Sequence, residues 1–335
     1  MADSLQRIFV SHVAGVGQTV LALPALRALR HSLPTSHITV AASYSAADVV
    51  RLSRCVDVVV PVSRSHEILN PRASYQSLKS LSALRREQYD LTVELQRNAE
   101  SGFARWLAQI GSGKRHKKLL TQIRDALLRH ARANKHAAQR YIEILAEIGA
   151  FPIDSEPKLY TDRAADERME LRLEKSGLLS SGLLVGLHPG AGRNKPRWPA
   201  ERFVIVAAKL IHLLNARVLV FAGPNERGLA RSIVKQLPPK QALALESIPL
   251  GEMTSALARL SVFIANQSGP AHLAAAVGTP VVATSLLDLP QTNDLLSRNH
   301  VLLRQKTMEA ITADDVYEAA CQLIKSNRAE FLWTR

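Results

Sequence analysis

Apolar residues in this chain alternate between two patterns. Short continuous runs suit strands buried on both faces, and longer stretches with apolar positions every three or four residues suit helices laid over a sheet. In the first half, strands are predicted at Arg7–Ser11, His37–Ala41, Val56–Val60 and Leu91–Leu95, with helices at Gln18–His31, Ala46–Ser53 and Tyr75–Glu87. Pro152–Arg163 is a polar, proline-bearing connection, and Ala164–Ser176 reads as helix. Strands then follow at Leu184–Leu187, Val218–Ala222, Ala242–Leu245, Val262–Ala265 and Val281–Thr284, separated by helices such as Ala200–Leu214, and Ala313–Lys325 is the last helical pattern. This alternation predicts an α/β protein with parallel sheets and right-handed crossovers.

The chemistry is concentrated where strands end. Val262–Ala283 reads as strand, polar turn, helix and next strand, with Ser268 or Gly269 as helix cap and Pro270 in the first turn. Amides around Ala271 and His272 would point out of that helix end, where the macrodipole also favours an anion such as a diphosphate. Any strand–helix–strand crossover has a capped helix, so the segment gains weight from two others. Leu183–Pro199 runs from a strand into a basic, glycine-rich loop, and Ala216–Phe221 is a strand that ends in Ala222-Gly223-Pro224-Asn225-Glu226. Such strand ends are where open α/β sheets bind ligands. Gly15 and Gly17 follow a strand and precede a helix, but the third glycine of a dinucleotide fingerprint would fall at Val20, and no Walker lysine follows. NAD or ATP chemistry is therefore weakly supported.

Composition then narrows the class. A chain of 335 residues with 47% hydrophobic content can hold two domains with separate cores. Met1–Arg7 lacks the order of a signal peptide and no apolar run is long enough to span a bilayer, so a soluble cytoplasmic protein is expected. Cys55 and Cys321 show no ligand spacing and read as isolated thiols, with no metal or zinc site. The net charge of +14 implies acidic partners. Part of it lies in Lys114–Arg140, where basic positions alternate with Leu119, Leu120, Ile123, Leu127 and Leu128. Within it, Lys117–His130 reads either as an amphipathic basic helix resting on an anionic membrane or holding a phosphorylated glycolipid, or as a solvated helix face over a core stripe. Few aromatics and no recognition module speak against nucleic acid.

Together HPGAG…RWPAERF, FAGPNE and NQSGPAHLAAAVGTP resemble glycosyltransferase family 9, the ADP-heptose:lipopolysaccharide heptosyltransferases. In the N-terminal half, Ile8–Leu29 resembles the family's opening strand, glycine loop and helix, Tyr89–Ser101 its later strand and loop, and His136–Gly149 the helix closing its first domain. The resemblance implies a GT-B fold of two Rossmann-like domains whose parallel sheets face each other across a cleft. It places the acceptor-binding domain at 1–163, the nucleotide-sugar domain at 164–312, and a terminal helix, 313–335, back on the first domain. It also implies inverting transfer of a heptose-like sugar from a nucleotide diphosphate sugar, ADP-heptose by resemblance. The acceptor would be a lipopolysaccharide core, another glycolipid or a glycan, reached at the inner face of the cytoplasmic membrane, and no cofactor is required.

Two positions depart from the family pattern. Its opening loop has an aspartate, taken as the general base, where this chain has Gln18, and its later Asn-Asp-Ser-Gly reads Asn266-Gln267-Ser268-Gly269 here. An amide takes up no proton near neutral pH, so Gln18 positions a hydroxyl without deprotonating it. His12 and Glu94 are the nearest substitutes by sequence, and Glu94 reads equally as a structural strand-end acid. On the donor side, Glu226 is expected to hold ribose hydroxyls or to be a solvated first-turn acid. Lys195 and Arg197 flank the position of a family lysine and would neutralise the diphosphate. His188 and Gly190 of the HPG turn, with Gln267, Ser268, Gly269 and His272, complete the expected donor site; the histidines also have structural readings. Two functions stay open: a working transferase, and a degenerate member that binds a sugar nucleotide, glycolipid or partner without turnover.

Overall fold

The computed structural model describes residues 5–64, 84, 87–96, 135–179, 182–192 and 195–333, with side chains up to 327. The chain divides into two compact units, Met1–Leu159 with Gln291–Asn293, and Tyr160–Pro290 with Asp294–Arg335. The division falls inside the predicted connection.

In the first unit, strands β1 (Arg7–His12), β2 (His37–Ser43), β3 (Val58–Val62) and β4 (Leu91–Glu94) form a parallel sheet in the order β3-β2-β1-β4. Central β1 is buried from Ile8 to His12, as a strand covered on both faces must be. Helices α1 (Val16–Ser32), α2 (Ala47–Leu52) and α3 (Ala137–Ala146) follow, and α3 packs on α1. His136 caps α3, its Nδ1 accepting from the Ala138 N–H at 3.3 Å. Register places Ser11 beside Glu94 on one side and Ala41 on the other. The ends of β1 and β4 therefore lie together, at the edge from which the Gly15 loop enters α1.

The second unit is built on six parallel strands: β5 (Leu184–His188), β6 (Arg217–Ala222), β7 (Ala242–Glu246), β8 (Val262–Asn266), β9 (Val281–Leu286) and β10 (His300–Gln305). Their order is β10-β9-β8-β5-β6-β7. The chain winds outward from β5 in one direction and then restarts at β8 in the other, so β5 and β8 flank the topological switch point. Helices α4 (Arg163–Lys175), α5 (Ala200–Leu214), α6 (Leu229–Val234), α7 (Leu250–Ala258), α8 (Gly269–Ala276) and α9 (Ala313–Trp333) complete the unit. Helix α5 has the bounds its pattern predicts; Asn215, with φ 51° and ψ 37°, ends it in the left-handed conformation.

Strand β10 was not anticipated: it is an edge strand, partly buried along most of its length, and its apolar core is only Val301–Leu303. Helix α9 groups with the second unit. Val316, Ala319, Ala320, Leu323 and Ile324 form a helical stripe in the second unit's core, against α5 and β8–β10. Of the predicted helix Tyr75–Glu87 only Leu84 and Glu87 are described, and Lys114–Asn134 of the basic segment lies outside the described residues. Of that segment's cations, Lys135 and Arg140 are described; Lys135 pairs with Glu143 at 2.8 Å, and Arg140 lies in α3. Both cysteines are free thiols, and no described helix is long and apolar enough to cross a membrane.

Candidate functional site

Helix α8 leaves the end of β8 at the switch point. Ser268 is its N-cap, in extended conformation (φ −147°, ψ 174°), but its side chain makes no capping hydrogen bond; Gly269 and Pro270 open the first turn, which holds no acid. The first N–H groups of a helix have no intrahelical acceptor, so this end presents uncapped donors and the positive pole of the helix dipole. Buried His272 closes the turn, its N–H donating to the Ser268 carbonyl at 3.3 Å.

The Ser268 hydroxyl turns instead toward β5. It lies 3.5 Å from Nδ1 of His188, whose Nε2 is 3.3 Å from Glu226 Oε2. A carboxylate at Nε2 holds a proton on that nitrogen. Glu226 stands in the turn after β6 and also accepts from the Gly223 N–H at 3.0 Å, while an Arg197 Nη2 lies 3.7 Å from Oε1. Its side chain is 6% exposed. Burial pushes its pKa up, but the His188 and Gly223 hydrogen bonds and the charges of His188 and Arg197 outweigh burial, holding the carboxyl below its ordinary value.

Gly190 is required by this packing, because a Cβ there would overlap the Glu226 carboxylate. Gly190→Ala is therefore expected to lower stability by about 1–3 kcal/mol. Glu226→Ala in the same chain should recover most of that loss, as read by urea unfolding; an additive double variant would show that the two sites do not interact.

Asn266 ties the loops together and was not singled out by its side chain. It is 1% exposed. Its Oδ1 accepts from the Trp198 N–H at 2.8 Å and the Thr284 hydroxyl at 3.0 Å, and its Nδ2 donates to the carbonyls of Pro189 (2.8 Å) and Gly190 (3.0 Å). One amide thus fixes the HPG turn, the loop before α5 and β9 against the end of β8. Gln267, the next residue, faces away from this cluster's partners: Oε1 accepts from Ser285 Oγ at 2.6 Å and Nε2 donates to Asp294 Oδ1 at 2.8 Å. Lys195 is exposed, its stem against Gly192, and is not in contact with Glu226. Among the described residues, no group of three or more His, Cys, Asp and Glu is placed to hold a metal ion.

In the first unit, Gln18 stands in the first turn of α1, whose cap is Gly15 and whose first turn also holds no acid. Arg64 approaches Gly15, its Nη1 3.3 Å from where a Cβ would be. Glu94 ends β4 and is 7% exposed. His12 is fully buried, edge-on to Tyr141 with ring centroids 5.1 Å apart, and neither ring nitrogen makes a hydrogen bond of full geometry, the Gln18 backbone offering only a weak one. Burial pushes its pKa down to about 4, the Gln18 backbone only partly opposing. A base closed off from solvent and this weakly basic is poorly suited to take a proton from an acceptor hydroxyl.

The family model for glycosyltransferase family 9 (heptosyltransferase) matches residues 78–312. A lipooligosaccharide heptosyltransferase 2 from Haemophilus influenzae is 26% identical over 305 residues, covering 86% of each chain. A family 9 glycosyltransferase structure from Veillonella parvula superposes with a TM-score of 0.79 at 21% identity, covering 97% of this chain and 99% of that one. The E. coli ADP-heptose lipopolysaccharide heptosyltransferase II structure gives 0.75 at 21% identity, covering 96% and 100%. Two parallel-sheet units of this kind constitute the GT-B fold. The chain belongs to glycosyltransferase family 9, the heptosyltransferase family.

Proposed function

We propose that this chain is an inverting transferase that moves a heptose-like sugar from a nucleotide diphosphate sugar, ADP-heptose in the first instance, to a lipopolysaccharide-core or related glycolipid acceptor. The observation that carries this reading is the uncapped N-terminus of α8 at the switch point, beside the buried Ser268–His188–Glu226 chain. The α8 amides would take the charge that develops on the leaving diphosphate. Lys195 and Arg197 would add positive charge, and Glu226 Oε1 would accept from the ribose. The acceptor oxygen attacks the anomeric carbon as the bond to the diphosphate oxygen breaks, and that bond's electron pair leaves with the nucleotide. The hydroxyl proton must go to a base. Glu94 is assigned that role, with Gln18 orienting the hydroxyl. The chain's net charge of +14 supports approach to an anionic glycolipid surface.

Glu94→Gln tests the assignment. Loss of the base should lower kcat by about 10² to 10⁴ while ADP binding is unchanged; an unaltered kcat removes Glu94 from the role. A second reading, binding without turnover, is favoured by the amide at 18 and the closed position of His12. It predicts that wild type binds ADP-heptose in calorimetry and yields no ADP from it with any glycolipid acceptor tried. Binding of neither ADP nor ADP-heptose would defeat both readings.

A further inference from the structure

Beside the entry to α8, an acid faces the amide that occupies the family's acidic position. Asp294 Oδ1 accepts from Gln267 Nε2 at 2.8 Å and pairs with the Arg304 guanidinium, while Ser285 fixes the other end of the Gln267 amide at 2.6 Å. Strand β9 supplies Ser285 and β10 supplies Arg304, so two strands and a loop hold one carboxylate in place. The Arg304 side chain is 11% exposed and that of Asp294 21%. An aspartate at 267 would set a second negative charge toward the first and remove the donor that now joins them, an arrangement that resists double ionisation. The neutral amide at 267 is thus the electrostatic complement of Asp294.

We propose that Asp294 is a specificity-determining residue that reads hydroxyls of the transferred sugar. This rests on the donor site proposed above. Residue 267 adjoins the α8 cap, so a carboxylate hydrogen-bonded to its amide stands next to the diphosphate site, on the scale of one sugar ring. A carboxylate accepts from hydroxyls and donates to none, which suits a polyhydroxylated ring. Its pairing with Arg304 makes the local charge close to zero, so the acid stands near the anion site without cancelling the field of α8. The remaining exposure of Asp294 gives a ligand access to it. The competing role is purely mechanical: the Asp294–Arg304 pair would pin the chain after Asn293 to β10.

Three full-length variants separate these roles by calorimetry with ADP and with ADP-heptose: Asp294→Asn, Gln267→Asp, and the double exchange Gln267→Asp/Asp294→Asn. Asparagine at 294 still offers an oxygen to Gln267 and Arg304. Asp294→Asn should therefore leave the ADP Kd within about twofold, and weaken ADP-heptose about tenfold or more, the effect expected on losing hydrogen bonds to a charged acceptor. The double exchange should recover at least half of that loss on the logarithmic scale. Equal weakening of ADP and ADP-heptose by Asp294→Asn, or no effect on either, would overturn the proposal, as would a double exchange no better than Asp294→Asn alone. Wild type that binds ADP and ADP-heptose equally well would also overturn it while leaving the donor-site reading standing. Wild type that binds neither would remove the donor site and this role together.

Discussion

Asn266→Asp is expected to destabilise the second unit by about 3–5 kcal/mol, the range for a buried charge left without its partner. The reason is directional. The new carboxylate would still accept from the Trp198 N–H and the Thr284 hydroxyl, as Oδ1 does now. Its other oxygen would replace Nδ2, which donates to the Pro189 and Gly190 carbonyls at 2.8 and 3.0 Å. Two attractions become two repulsions in a site that is 1% exposed. Asn266→Ala removes four hydrogen bonds without adding charge and should cost about 2–4 kcal/mol. In a unit of this size, 1 kcal/mol moves Tm by roughly 2–4 °C, so calorimetry should show the aspartate variant melting roughly 6–20 °C below wild type.

Its pH dependence has a definite sign. Repulsion raises the folded-state pKa of the new acid above its unfolded value, so the deficit against wild type is largest at neutral pH and narrows as pH falls through that folded pKa. A deficit that stays constant between pH 7 and pH 4 would mean that lost packing, not charge, is responsible. Both variants should also lose nucleotide affinity, because Asn266 holds the turn at Gly190 against which Glu226 packs.

These residues mark the boundary of what the chain reveals before folding. Strand ends were read at Leu187, Ala222 and Ala265, within one residue of the ends at His188, Ala222 and Asn266, because apolar runs stop there and glycines or polar residues begin. The meeting of Ser268, His188 and Glu226 follows from a parallel sheet that turns those three ends to one edge. The role of Asn266 was not readable, since its partners lie up to 77 positions away, and three of the four are backbone groups and the fourth a lone threonine with no motif of its own. Asp294 and Arg304 were missed for the same reason, and because the edge strand that carries Arg304 has too short an apolar run. The stripe on α9 announced a buried face correctly; periodicity does not say which core receives it. His12 became a base candidate through closeness to Gln18 along the chain. In a strand covered on both faces, alternation does not separate inward from outward, and Ser11 and His12 are equally buried.

The second large effect concerns that histidine. His12→Phe should leave stability at pH 7 unchanged or raised, and should make the first unit markedly more resistant to mild acid. Phenylalanine keeps the ring and its edge-on contact with Tyr141, and it removes two buried nitrogens that make no hydrogen bond of full geometry, at the loss of only a weak one with the Gln18 backbone. The acid effect follows from linkage. Folded His12 takes a proton only near its pKa of about 4, whereas the unfolded chain takes it near the ordinary value of 6.5. Between these values the unfolded state binds more protons, so stability is complete above pH 6.5 and is lost progressively as pH falls toward 4. A gap of that size corresponds to roughly 3 kcal/mol at the acid end. Urea midpoints for wild type and His12→Phe should therefore coincide or favour the variant slightly at pH 7 and diverge strongly at pH 4.5. Parallel curves across that range would show that His12 is protonated in the folded protein, and that a compensating group stands beside the ring.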